Sequence, residues 1–381
     1  MSIPEYRVRL FLTVDLVGST AYKASFLNSH GQGEDPLPEW VTRFRQFYQR
    51  FPEALTAAYQ KTDSGDHADG TQRDPPPKVW KTIGDEIIFC CRVHSIKHLA
   101  CCVTAFLRAL EAYGQSLDTD GVPLDVKGAG WLAAFPAENI SIEVVNGNVA
   151  ATKRNQEYLT EDFELEADQM PHKFDFLGTG IDAGFRVAKT ASTDRFTASI
   201  GLSYLLASAA QNNMFMGQFS YHGRQPFKGV NKDHPYPVVS IEAERNPEKR
   251  RLRARERLLL NENFVAPVAL YDYLDGYMKH EGIDFPVLPA LSSDAPPPNP
   301  RTYAAFEATW KTNVKEADGR DKSIDESEQL ANQGGDEISL DVLKFAEANA
   351  PRDATGRLTQ PRLVRQRPRR RTRRKPDTSS E

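Results

Sequence analysis

Apolar residues fall at every second position from Val8 to Val14. Val8, Leu10, Leu12 and Val14 alternate with Arg7, Arg9, Phe11 and Thr13, which is the two-residue period of a strand. The strand is expected to end at Asp15, where DLVGST supplies a glycine turn and a Ser-Thr pair. After a polar loop holding Pro36 and Pro38, an amphipathic stretch from Glu39 to Gln60 predicts a helix. The following TDSGDHADGTQRDPPP, with His67, reads as an exposed loop. Lys78 to Thr82 and Ile87 to Val93 predict two short strands around Ile83-Gly84-Asp85-Glu86, a hairpin signature that puts Asp85 at a strand tip. Beyond His94, the residues Ile96, Leu99, Ala100, Val103, Phe106, Leu107 and Leu110 recur at spacings of three and four, so a helix should pack one face on the sheet.

A further strand is predicted over Asp125 to Phe135, and the polar, acidic residues 141–170 read as an excursion or arm. FDFLGTGIDAGFRVAK then reads as a strand end, a glycine loop and a helix start. A strand near Phe196 to Ile200, a helix near Leu202 to Gln211 and a strand near Tyr236 to Ile241 close the pattern. Strands interleaved with helices around one central hairpin predict an α+β sandwich with a mixed or antiparallel sheet. Past Ala243 the chain changes character. NPEKRRLRARERLLL is charged helix or linker, a modest helical patch covers Val268 to Met278, and Ser292 to Pro300 is proline-rich. From about Lys315 the sequence is too polar to bury a core and is expected to be disordered. The expected organisation is a folded domain over 1–243, a helical extension over 244–291 and a disordered region over 292–381.

Composition narrows the class. A hydrophobic content of 40% and a charged content of 26% are ordinary globular values. No apolar run approaches the roughly 18 residues that span a bilayer, and Glu5, Arg7, Arg9 and Asp15 interrupt the N-terminus, so neither signal peptide nor anchor is expected and the protein reads as cytoplasmic. The net charge of −4 hides an asymmetry: residues 361–375 hold nine basic residues and no acid, which leaves −13 for the rest. That arginine run carries no interleaved aromatic, so it reads as a tail making weak, salt-sensitive contacts and not as a specific nucleic-acid binder. Cys90-Cys91 and Cys101-Cys102 match neither a zinc knuckle nor a redox CxxC, and read as buried, reduced thiols. His94 and His98 have the i, i+4 spacing of a zinc pair, but without a third ligand in register they read as a solvated helix start.

Asp15 and Asp85 carry the candidate chemistry. Both close a hydrophobic strand, and two carboxylates brought together there repel one another unless a proton or cation lies between them. All-oxygen ligation favours Mg²⁺ or Mn²⁺. In DLVGST, Gly18 lets the backbone come close to a ligand, and Ser19 and Thr20 open a helix start that favours anions. Metal with an anion nest implies a polyphosphate. Asp182 and Arg186 are four apart and share a helix face, where Arg186 could fork onto phosphate oxygens. Each acid alone would more often be a turn residue, and Asp182 with Arg186 could be a surface ion pair.

The three motifs, strand-DxxGST at 11–20, KxxGDE at 81–86 and DxxGxxIDxxxR at 175–186, resemble in order and spacing the catalytic domain of class III nucleotidyl cyclases. FKGV at 227–230 is similar to that family's closing motif, and the resemblance spans about residues 5–243. It implies a ferredoxin-like α+β sandwich with a central hairpin, acting as a homodimer with two composite sites at the interface. Asp15, Leu16 and Asp85 of one subunit would hold two Mn²⁺ or Mg²⁺ ions, beside Gly18, Ser19 and Thr20. Lys81 and Asp175 of the other would read the base, Asp182 would orient the ribose, Arg186 would stabilise the phosphorus, and Lys228 would meet the terminal phosphates. The family usually has Asn where this chain has Asp182.

IDAGFR, VDLVGST and GDEIIF look most like the pyrimidine cyclases of bacterial Pycsar anti-phage systems, which make cyclic UMP or cyclic CMP for a downstream effector. The resemblance therefore implies UTP as substrate, with CTP and then ATP behind it, since Lys81 with Asp175 is also the pairing of adenine-reading cyclases. A narrower pyrimidine pocket would use an aromatic such as Tyr48 or Phe51. The rival from another class is a catalytically silent nucleotide-binding module that acts by interaction.

Overall fold

The computed structural model describes residues 2–26, 37–62, 74–144, 159–288 and 298–314, with only the main chain at 145 and 148–149. The described residues fall within one compact unit, Met1–Val314. Its elements in order are β1 (Arg7–Val17), α1 (Ser19–Ser25), α2 (Glu39–Thr62), β2 (Lys78–Ile83), β3 (Glu86–Val93), α3 (Ile96–Thr119), β4 (Asp125–Phe135), β5 (Asn139–Val145), β6 (Asn148–Val149), α4 (Glu161–Gln169), β7 (Phe174–Gly178), α5 (Thr179–Ala188), β8 (Arg195–Ala198), α6 (Ile200–Gln211), β9 (Phe219–Gln225), β10 (Tyr236–Glu242), α7 (Pro247–Leu260) and α8 (Pro267–Glu281). The fold is α+β. Seven strands run β2-β3-β1-β4-β8-β10-β9, antiparallel except for β4 beside β8, and β6-β5-β7 form a smaller antiparallel sheet.

The first strand is longer than its sequence period implies, and both of its faces are covered. Val8, Leu10, Leu12, Val14 and Leu16 point to a core shared with α2, α3 and α6. Phe11 points to a second core with Ile88, Trp131, Phe135, Phe174, Phe176 and Ile181. Arg7 and Arg9, on that second face, are also buried, at 2% and 0% exposure.

The acidic stretch 141–170 supplies the reason. It does not stay an excursion: α4 folds back over the sheet and brings its acids to the two arginines, with Ser141 of β5 beside them. Arg9 binds Glu164 Oε2 at 2.7 Å and Asp168 Oδ1 at 2.7 Å, donates to Ser141 Oγ at 2.9 Å, and lies 4.4 Å from the centre of the Phe135 ring. Arg7 pairs with Asp168 at 2.7 Å and with Glu161. Removing one partner from such a buried network strands the other charge at a cost of roughly 3–5 kcal/mol. Arg9→Ala should therefore lower unfolding stability by about that amount, read as a fall in the denaturant midpoint; a loss under about 1 kcal/mol would mean that the acids rehydrate freely.

At the C-terminal side the helices after residue 243 pack on the domain: Leu270, Leu274 and Met278 of α8 are buried in the α6 core and Tyr271 stacks on Tyr204 with ring centres 4.5 Å apart. Residues 301–314, inside the region expected to be disordered, are helical. Tyr303 donates to the Pro4 carbonyl at 2.8 Å and Trp310 to the Leu159 carbonyl at 2.9 Å, so the segment is tied to the domain. The basic tail 361–375, the rest of the region from 315 onward and the His67 loop lie outside the described residues. Among the described residues no helix is long and apolar enough to cross a membrane.

Candidate active site

β1 continues through Asp15 and Leu16, and the turn falls at Gly18, whose φ of 86° is left-handed and suits glycine. Because β1 pairs with β3 in antiparallel register, Asp15 sits directly opposite Glu86, and on its other side it pairs with Lys127 of β4. The β2–β3 hairpin turns at Gly84-Asp85, with Gly84 at a φ of 64°. The amide of Leu16 donates to the Asp85 carbonyl at 3.1 Å, which fastens the hairpin tip to β1. Tyr48 of α2 reinforces it by donating to the Gly84 carbonyl.

Asp15, Asp85 and Glu86 thus gather at one end of the sheet beside Lys127. Asp15 Oδ2 is 3.0 Å from Lys127 Nζ. The Ser19 hydroxyl donates to Asp85, and the Thr13 hydroxyl to Glu86. Burial pushes the Glu86 carboxyl above the usual carboxylate range; Asp15 and Asp85 push the same way, while Thr13 and Lys127 pull it back. Thr13, Asp15, Glu86, Lys127 and Phe185 line a small cavity of about 160 Å³ there.

Ser19, expected to meet substrate, is 3% exposed and holds the Asp85 carboxylate. Thr20 is exposed on the first turn of α1. Local pattern gives no sign of Thr13 or Lys127 as site residues. Lys127 reaches Asp15 only through the pairing of β4 with β1, which also sets Ala129 opposite Thr13. That register is fixed by the whole sheet and leaves no mark in the sequence around Lys127.

The other predicted residues lie on β2, β7, α5 and the FKGV loop. Lys81 Nζ on β2 lies 2.6 Å from Asp175 Oδ1 on β7 and 4.0 Å from the centre of the Trp80 ring. Both side chains stay about a third exposed, so the pair can meet a ligand. α5 follows β7 and carries Asp182 in its first turn and Arg186 in its last. Gly184 lies flat on the Trp131 ring, where any Cβ would collide, and this sets the height of α5 over the sheet. A side chain grown at Gly229 would begin 3.7 Å from Arg186 Nη2, so α5 brings Arg186 to the FKGV loop, on which Lys228 is exposed.

Among the described residues Asp182 and Arg186 form no ion pair with one another, so the surface-pair reading is not what the fold adopts. Asp182 is exposed, and its replacement by the isosteric amide breaks no hydrogen bond among the described residues. Asp182→Asn should keep turnover of the same order, since the amide can still orient a hydroxyl; complete loss in a product assay would give the carboxylate its own role. Of the two aromatics considered for a base pocket, Phe51 is 0% exposed and packs on Phe89, Phe106 and Tyr113, which removes it from any ligand. Tyr48 is committed to the hairpin tip.

No family model matches the sequence, and no curated protein matches it. Among solved structures the chain is similar to the adenylyl cyclase CyaB from P. aeruginosa, at 10% identity over 62% of this chain and 94% of that chain, with a TM-score of 0.40. It is also similar to the guanylyl cyclase Cya2, at 15% identity over 65% and 96% with a TM-score of 0.36. A third is the guanylate cyclase domain of RhGC from Catenaria anguillulae, solved in complex with GTP, at 10% identity over 63% and 99% with a TM-score of 0.34.

Proposed function

We propose that the protein is a nucleotidyl cyclase that converts UTP to cyclic UMP and pyrophosphate. The observation that carries the reading is the cluster of Asp15, Asp85 and Glu86 at the hairpin tip, with Lys127 beside it. An all-oxygen set with surplus negative charge fits a hard divalent ion, and Asp15, Asp85 and the main-chain carbonyl of Leu16 would hold Mg²⁺ or Mn²⁺. When bound, such ions favour the ionised hydroxyl and neutralise the leaving phosphates.

The chain's own residues supply the rest. In the reaction the ribose 3′-oxygen forms a bond to the α-phosphorus, the bond to the β-phosphate oxygen breaks to release pyrophosphate, and the hydroxyl proton passes to solvent. Arg186, always charged and forked, meets the charge that grows on the phosphorus oxygens. Lys228 attracts the terminal phosphates. Lys81 and Asp175 present one donor beside one acceptor, the complement of uracil O4 and N3–H. The resemblance of the motifs to class III cyclases supports a composite site between two copies of the chain, and the Pycsar-like motifs support a signal read by a downstream effector in anti-phage defence.

The same Lys81–Asp175 pair also complements N1 and N6–H₂ of adenine, so ATP stands behind UTP and CTP as an alternative substrate. Incubating the protein separately with UTP, CTP, ATP and GTP plus Mn²⁺, and resolving products against cyclic nucleotide standards, decides. A dominant cyclic UMP supports the proposal, and cyclic AMP keeps the chemistry but changes the base. No product from any of the four would leave a silent nucleotide-binding module.

A further inference from the structure

The four cysteines and the His94–His98 pair play no part in that site, yet three of these side chains meet. Two sulfurs and a ring nitrogen, from Cys91 on β3 and from His98 and Cys102 on α3, lie within 4.8 Å of one another. All three residues are buried, with exposures of 4%, 3% and 0%. His98 and Cys102 are four apart and share one face of α3. Cys91 meets them from the sheet, on the same face as Phe89 and Val93.

The spacing suits a metal better than a disulfide. The sulfurs are 4.0 Å apart, about twice a disulfide bond of ~2.05 Å. Zinc–sulfur bonds of about 2.3 Å in a tetrahedron put two sulfurs about 3.8 Å apart. His98 is held as a ligating imidazole is held: Nε2 is 3.0 Å from the Pro75 carbonyl, which fixes the proton there and the lone pair on Nδ1. Nδ1 accepts a long bond of 3.3 Å from the His94 amide, which a metal would replace. Asp74 Oδ2 lies 4.0 Å from Nδ1 on a side chain that is 40% exposed, within reach of a fourth position. Two thiols, an imidazole and a carboxylate form a borderline-soft set that selects Zn²⁺ over Mg²⁺ or Mn²⁺.

We propose that Cys91, His98 and Cys102 form a structural zinc site, closed by Asp74, that ties the far end of β3 to α3. The burial of His98, at 3% exposure, corrects the expectation that it is solvated. The histidine is buried, and its fellow ligands are the cysteine one turn later and a cysteine on the neighbouring strand, not His94.

The test is metal analysis of the full chain, stripped with a chelator and then dialysed against zinc. About one tightly held zinc per chain is expected. It should persist in Cys101→Ser and in Asp85→Ala, and fall at least about tenfold in Cys102→Ser and His98→Gln. Zinc kept by Cys102→Ser, or none taken up by the wild type, overturns the proposal. Should the variants fail to fold, Co²⁺ added to stripped wild-type protein still decides: thiolate-to-cobalt charge-transfer absorption supports the site and its absence overturns it. A Cys91–Cys102 disulfide in freshly isolated protein also overturns it.

Discussion

If the proposed cyclase reading holds, Asp85→Ala should lower the rate of cyclic nucleotide formation more than about 100-fold, beyond the 10–100-fold typical of groups that merely support a metal ligand. The fold should survive the change. The hairpin tip is held by main-chain and tyrosine contacts, Leu16 N to the Asp85 carbonyl and Tyr48 to the Gly84 carbonyl, neither of which uses the lost carboxylate. The Ser19 hydroxyl loses its acceptor. Melting temperature should therefore stay within a few degrees, as for changes away from the core. Activity above about a tenth of wild type, in a folded protein, would remove the carboxylate cluster from the chemistry and favour the silent module.

Arg186→Ala should lower kcat about 100- to 1000-fold, the usual cost of removing one group that meets transition-state charge, with less effect on KM. The stronger test combines the two inactive variants. If each site takes Asp85 from one copy and Arg186 from the other, a mixed two-fold dimer has one site lacking both residues and one intact. Random exchange makes half of the dimers mixed, so about a quarter of wild-type activity should return on mixing. No recovery, with subunit exchange shown by a tagged copy, would mean that both residues serve the same copy's site or none.

Local pattern carries much of the fold. β4 matches the predicted bounds of Asp125 to Phe135, and α2 and α3 follow their apolar periods closely. What local pattern cannot carry is information held between elements. Arg7 and Arg9 read as the polar side of a strand because the acids that cover them lie more than 150 residues away. β9 escapes the pattern because it is an edge strand, with little burial to shape FSYHGRQ. The helix over 301–314 does leave a signal, Tyr303, Phe306 and Trp310 at three and four, masked by the prolines before it. At the candidate site the motif acids and Arg186 can be singled out only through the resemblance of their motifs, since each alone reads as an ordinary turn or surface residue. Lys127, Thr13 and the sulfur–imidazole cluster cannot be singled out, since each depends on register across the sheet; His98 and Cys102, one helical turn apart, are the readable half of that cluster.

The contact between Gly184 and Trp131 bears on how this chain can vary over generations. Any side chain at 184 must enter the space of the indole, so the two positions are expected to change together, with a larger residue at 184 accompanied by a smaller one at 131. Two residues away on each side, Asp182 is exposed and Arg186 half-buried, and neither is under that volume constraint. Position 182 is thus free to vary in size and charge without disturbing the helix that carries Arg186.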